Sequence, residues 1–122
     1  MGKKLLLVDD ERGTLALLAA TLDNQEAYEI LLAGDGEEAL AVARQQKPDL
    51  VLLDVLMPKK DGYEVCRALK GEPGTAEIKV LILTALVQES DREKARQAGA
   101  DGYFSKPFSP MALLKRIGEL LN

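Results

Sequence analysis

Five polar residues stand directly behind short apolar runs. Asp9 and Asp10 follow Leu5–Val8, Asp54 follows Leu50–Leu53, Thr84 follows Val80–Leu83, and Lys106 follows a short run from Gly102 to Ser105. Three carboxylates, a hydroxyl and an ammonium suit the handling of a phosphoryl group, with a carboxylate as nucleophile. Carboxylates gathered at one place repel one another unless one is protonated or a cation joins them. A hard ion with oxygen ligands fits, and Mg2+ fits best, because few carboxylates together with waters and a phosphate complete its octahedron. A charged lysine cannot ligate that ion, but it can neutralise an anion beside it, and a threonine hydroxyl can donate to the same anion. Each residue alone has a plainer explanation. Asp9–Asp10–Glu11 can charge a helix start, Asp54 can cap a loop, Thr84 suits a strand end, and Lys106 can simply face water. Their joint placement at four strand ends favours the chemistry.

The elements that must bring these residues together are legible as alternating short and long patterns. Leu5–Val8 does not alternate with polar residues and reads as a strand buried on both faces. Leu15, Leu18, Ala19 and Leu22 recur at helical spacing, and Tyr28 to Ala33 forms a second strand. Asp35 caps a helix over Gly36 to Gln46, with Glu38 placed as in a capping box. Lys47–Pro48–Asp49 breaks it before the third strand, Leu50–Leu53. Asp61–Gly62–Tyr63–Glu64 opens a helix with Tyr63, Cys66 and Leu69 facing a core and Gly71 as its stop. Val80–Leu83 is the fourth strand. Ser90–Asp91–Arg92–Glu93 reads as a capping box for a very polar helix ending near Gly99. After the fifth strand, Ser109–Pro110 starts a last helix with Leu114, Ile117 and Leu121 on one face. Consecutive parallel strands need right-handed crossovers, so helices cover both faces of an open, doubly wound α/β sheet. All strands then end at one edge, which is where such sheets bind ligands.

Composition narrows the function classes. The 122 residues fit one domain, 1–122, with no repeat, linker or low-complexity stretch. A net charge of −4 argues against nucleic-acid binding by the domain itself. Histidine is absent, which removes histidine triads, histidine bases and most imidazole metal sites. Cys66 is the single cysteine; it reads as a core residue and fits a reducing compartment. The apolar run after Lys3–Lys4 is too short for a signal peptide or a membrane span, so a soluble, cytoplasmic chain is expected. Gly34–Asp35–Gly36–Glu37–Glu38–Ala39 matches a dinucleotide-binding pattern, but its three acids occupy the place of a pyrophosphate.

The segments Leu-Leu-Leu-Val-Asp-Asp-Glu (5–11), Gly-Asp-Gly-Glu-Glu-Ala-Leu (34–40), Pro-Asp-Leu-Val-Leu-Leu-Asp (48–54), Met-Pro-x-x-Asp-Gly (57–62), Leu-Thr-Ala (83–85) and Gly-Ala-Asp-Gly-Tyr-Phe-Ser-Lys-Pro-Phe (99–108) together resemble the receiver domains of bacterial two-component response regulators, the family of the single-domain chemotaxis regulator. The resemblance spans essentially the whole chain. It implies a flavodoxin-like sheet with strand order 2-1-3-4-5 and five helices. It also implies that Asp54 is the phosphoacceptor, that Asp10 binds Mg2+ directly with Asp9 acting mainly through water, and that Leu56 lends its backbone carbonyl. Thr84 and Lys106 would hold phosphoryl oxygens, with Lys106–Pro107 a cis peptide, and Tyr103 would be the aromatic switch residue. The phosphoryl donor would be a phosphohistidine on a sensor histidine kinase or histidine phosphotransfer protein. Two features depart from the common pattern. Lys59 and Lys60 add positive charge near the site, and Leu56 and Leu86 make both positions flanking the phosphoryl pocket apolar, which implies a long-lived phosphoryl group.

The function expected is therefore a phosphorelay switch rather than a turnover enzyme. Its output partner is undetermined, and no membrane is implied. No effector domain follows the last helix within these residues, so a stand-alone regulator and a receiver from a larger protein both stay open. The enzyme alternative is an aspartate-nucleophile phosphatase of the haloacid dehalogenase type, against which Asp54–Val55–Leu56 lacks the second acid of D-x-D. A degenerate receiver that only binds a partner is the third reading; the retention of Asp9, Asp10, Asp54, Thr84 and Lys106 argues against it.

Overall fold

The computed structural model describes residues 3–23, 28–55, 61–85, 88–105 and 109–121. Strands β1 (Lys3–Val8), β2 (Tyr28–Ala33), β3 (Leu50–Leu53), β4 (Lys79–Thr84) and β5 (Gly102–Ser105) alternate with helices α1 (Arg12–Asp23), α2 (Gly36–Gln46), α3 (Gly62–Gly71), α4 (Glu89–Gln97) and α5 (Pro110–Leu121). All strand pairs are parallel, and the order is β2-β1-β3-β4-β5, as the resemblance implies. The central strands carry continuous apolar runs, Leu5–Val8, Leu50–Leu53 and Val80–Leu83, because both their faces are covered. Leu5, Leu7, Leu50, Leu52, Leu81 and Leu83 meet Leu15, Leu18, Leu22, Leu113 and Ile117 of α1 and α5 on one side. Leu6, Val8, Val51, Leu53, Val80 and Ile82 meet α2, α3 and α4 on the other. Among the described residues no helix is long and apolar enough to cross a membrane.

The helix starts follow their local chemistry. Asp35 Oδ1 accepts the Glu38 amide (2.9 Å) while Glu38 Oε1 reaches back to the Gly34 amide (2.7 Å), closing the turn into α2. Asp61 Oδ1 accepts the Glu64 amide (2.9 Å) and starts α3 in the same manner. The Ser109 hydroxyl receives the Ala112 amide (3.3 Å) ahead of Pro110.

One local expectation is corrected, and two that hold gain detail. Helix α4 is capped two residues earlier than the Ser90 capping box implies. The cap is Gln88, and the acid three positions on is Asp91, whose Oδ2 accepts the Gln88 amide (3.3 Å). Gly71 ends α3 without a left-handed turn; the following cap, Glu72, is extended and leads into Pro73, which cannot continue a helix. In α5 the fully buried pair is Leu113 and Ile117, four residues apart, while Leu114 and Leu121 pack at its flanks.

Candidate functional site

The strand ends do converge on one edge. Val8 pairs with Leu53 and with Ala33, so the residues after β1 and β3 leave the sheet side by side. The ladder runs one step past the strands: the Asp54 amide donates to the Val8 carbonyl (3.1 Å) and the Asp9 amide to the Ala33 carbonyl (3.2 Å). These bonds fix the backbone of both acids on the rigid part of the fold. Asp9 is 2% exposed and Asp54 8% exposed, whereas Asp10 faces solvent. Asp9 Oδ1 accepts the Glu11 amide (3.0 Å), which turns the chain into α1.

Thr84 closes β4 and is fully buried. Leu53 pairs with Ile82, so Thr84 lies two residues beyond that pair, one step past the level of Asp54. Tyr103 pairs with Ile82 across β4 and β5, and both pack in the cluster under α2, α3 and α4. With the period of two along a strand, Thr84 and Tyr103 therefore share one face of the sheet. Lys106, Leu56, Leu86, Lys59, Lys60 and the Lys106–Pro107 bond lie outside the described residues.

The sequence motif Asp61–Gly62 acquires a steric reason here. The Gly62 amide donates to the Val55 carbonyl (3.2 Å), and a Cβ at position 62 would come within 2.6 Å of both the Asp54 carbonyl oxygen and the Val55 Cα. Only glycine lets α3 start this close to the acid's own backbone. Two contacts had no readable signal in the sequence. The Tyr63 hydroxyl donates to the Asp91 carbonyl (3.2 Å), and the Arg92 guanidinium lies 5.5 Å from the Tyr103 ring centroid. Burial pushes the Tyr63 phenol up to about 12, and raises that of Tyr103 as well. Cys66, fully buried beside the Ala98 carbonyl (3.4 Å), has its thiol pushed up to about 11, mainly by burial. A buried thiol held protonated in this way is a poor nucleophile, in keeping with the core position read from the sequence.

The edge is strongly acidic. A cleft of about 550 Å3 beside the ends of β1 and β2 is lined by Asp9, Asp10, Asp35 and Glu38 together with Arg12. Among the described residues no group of three or more His, Cys, Asp or Glu side chains is arranged to enclose a metal ion. The donor set still fits Mg2+, which is held by one or two carboxylates and completes its shell with water and phosphate oxygens rather than with an all-protein cage. Asp9 and Asp54 carry carboxylates of this kind on neighbouring strand ends.

The same architecture recurs in known proteins. Residues 5–118 match the response regulator receiver domain family. The alkaline phosphatase synthesis transcriptional regulatory protein PhoP of Bacillus subtilis is 43% identical over 122 residues, covering 100% of this chain and 50% of its own. The chain thus spans about half the length of this curated relative. The chemotaxis protein CheY4 of Vibrio cholerae superposes with a TM-score of 0.93 at 32% identity, covering 99% of this chain and 100% of that one. The receiver domain of the sensor histidine kinase PA1611 of Pseudomonas aeruginosa, solved with a magnesium ion coordinated in its active site cleft, does so with a TM-score of 0.90 at 30% identity over 99% and 98% of the two chains.

Proposed function

The chain belongs to the response regulator receiver domain family, and from that premise we propose that residues 1–122 form one receiver in which Asp54 is the phosphoacceptor. The observation that carries the assignment is the pairing of two nearly buried carboxylates, Asp9 and Asp54, on adjacent strand ends with their amides tied into the sheet. A carboxylate oxygen of Asp54 attacks the phosphorus of a phosphohistidine on a sensor kinase or phosphotransfer protein. The P–N bond breaks, its electron pair returns to the imidazole, and an acyl phosphate forms on Asp54. Because the ladder holds the Asp54 backbone, the nucleophile is positioned before the partner arrives.

Asp9, Asp10, Asp54 and the Leu56 carbonyl would hold Mg2+. Bound there, that ion offsets the carboxylate charge and polarises phosphoryl oxygens. Asp9, nearly buried and turned by its bond to the Glu11 amide, and Asp10, exposed beside it, would present carboxylate oxygens to the ion from the end of β1. The Thr84 hydroxyl and the Lys106 ammonium would each hold a phosphoryl oxygen as charge builds there. Phosphorylation then biases Thr84 and Tyr103, which share a sheet face, towards a signalling arrangement. The domain works as a cytoplasmic switch without substrate turnover, and its output passes to a partner or effector domain rather than to nucleic acid directly. Leu56 and Leu86 cannot orient a hydrolytic water, so the acyl phosphate is long-lived. The phosphatase alternative has no support beside a receiver match over 5–118.

Incubation with acetyl phosphate and Mg2+ tests the reading. One hydroxylamine-sensitive phosphoryl group is expected on the protein and none on Asp54→Asn. Equal labelling of that variant overturns the assignment.

A further inference from the structure

Helix α4 is held to the rest of the molecule by two tyrosines acting on consecutive residues. From α3, the Tyr63 hydroxyl donates to the Asp91 carbonyl (3.2 Å). From β5, the Tyr103 ring carries the Arg92 guanidinium 5.5 Å from its centroid, inside the cation–π range. Among the described residues, the further hold on the helix is the Cys66 thiol at the Ala98 carbonyl of its cap and a small apolar contact. Within α4 only Ala95 is buried, joined by Ala98 at the cap, and the exposed face is a run of charges. Two alanines supply few dispersion contacts, so the position of such a helix depends on its polar tethers. Both phenols are pushed upward, chiefly by burial, so both tyrosines stay neutral near pH 7 and the Arg92 contact is cation against ring face rather than an ion pair.

Tyr103 pairs with Ile82 and shares a sheet face with buried Thr84, while its ring meets Arg92 of α4. We propose that Arg92 is a positioning residue: its guanidinium sets the resting orientation of the Tyr103 ring and holds α4 against β5 through it, and signalling releases this contact. The second half rests on the receiver reading above; the first half stands on the resting structure alone.

Amide hydrogen exchange and the NMR signals of the Tyr103 ring, followed in the intact chain, test both halves. Arg92→Met keeps the apolar stem and removes the cation. It should speed exchange over residues 91–97 by about two- to fivefold and shift the Tyr103 ring signals, leaving residues 36–46 of α2 unchanged. Arg92→Lys should restore most of both effects, since an ammonium also binds a ring face. If Arg92→Met exchanges like the native protein, or if Arg92→Lys rescues nothing, the latch is overturned. Beryllofluoride with Mg2+ on the native chain should move the same ring and α4 signals in the direction of Arg92→Met. A shift at the Asp54 amide without any at Tyr103 or α4 overturns the signalling half. No shift at Asp54 at all instead refutes the receiver reading, while the effects of Arg92→Met in the resting protein remain.

Discussion

The two edges of the sheet are built from similar residues to opposite ends. At the edge where the strands begin, acids meet basic side chains and backbone amides. The Lys70 ammonium donates to Asp101 Oδ2 (2.8 Å) and to the Ile78 carbonyl (2.7 Å), and the same Asp101 oxygen accepts the Val80 amide (2.8 Å). This single clasp joins the end of α3 to the starts of β4 and β5. Asp49 Oδ2 accepts the Lys4 amide (2.7 Å), and Arg44 pairs with Glu72 between α2 and α3. At the edge where the strands end, Asp9, Asp10, Glu11, Asp35, Glu37, Glu38 and Asp54 gather with Arg12 among them. Local amides cap several of these acids, but among the described residues of this edge acids outnumber bases. Matched charge holds the frame, and mismatched charge is what a cation and a phosphoryl group come to balance.

The largest effect expected from this contrast is on labelling. Chelating Mg2+ should suppress phosphorylation by acetyl phosphate to near background, because without the ion the clustered carboxylates repel an incoming anion. Asp54→Asn, which also labels no further, should nevertheless melt higher than the native chain by about 0.5–1 kcal/mol, as relief of a functional strain commonly does. A variant that melts lower breaks the comparison, since it would make Asp54 a structural residue.

Gly62→Ala should lower stability by about 1–3 kcal/mol in urea titration, because the added methyl meets two backbone atoms that cannot step aside. A neutral result would mean that α3 can slide away from the acceptor strand. Lys70→Met is expected to cost about as much, roughly 1–3 kcal/mol, by leaving the half-buried Asp101 carboxylate and the Ile78 carbonyl short of a donor. Unlike Gly62→Ala, it should leave labelling of Asp54 intact, because its clasp lies at the opposite edge.

The smallest effect belongs to the exposed pair. The Arg44 guanidinium, by its hydrogen bonds, holds the Glu72 carboxyl below the usual carboxylate range. A lowered folded-state pKa contributes stability above the unfolded value, and that contribution fades as the pH falls through the folded one. The melting difference between native protein and Arg44→Gln should therefore be slight at pH 7, shrink with added salt, and vanish as acid protonates Glu72. A difference that grows on acidification would reverse the sign and remove the pair from the account of the matched edge.

Much of this molecule can be read along the chain, because its informative patterns are local. A continuous apolar run such as Leu50–Leu53 declares a strand covered on both faces, and an acid directly after it must emerge at that strand's end. Parallel connectivity then places Asp9, Asp54 and Thr84 at one edge without any knowledge of distances. Asp35 and Asp61 mark helix starts because capping acts over three residues. Other features needed elements to meet. Neighbouring aspartates divide, Asp9 inward and Asp10 outward, only when the ladder with β2 and the turn into α1 fix the backbone between them. In α5, Leu113 rather than Leu114 completes the core because the helix's rotation against β4 decides which side chain points inward. Gly62 is required by the approach of α3 to the Asp54 backbone, and Arg92 meets Tyr103 although the two stand on different elements, α4 and β5. Short-range periodicity constrains which residues are buried, but crossing geometry alone chooses which of them touch.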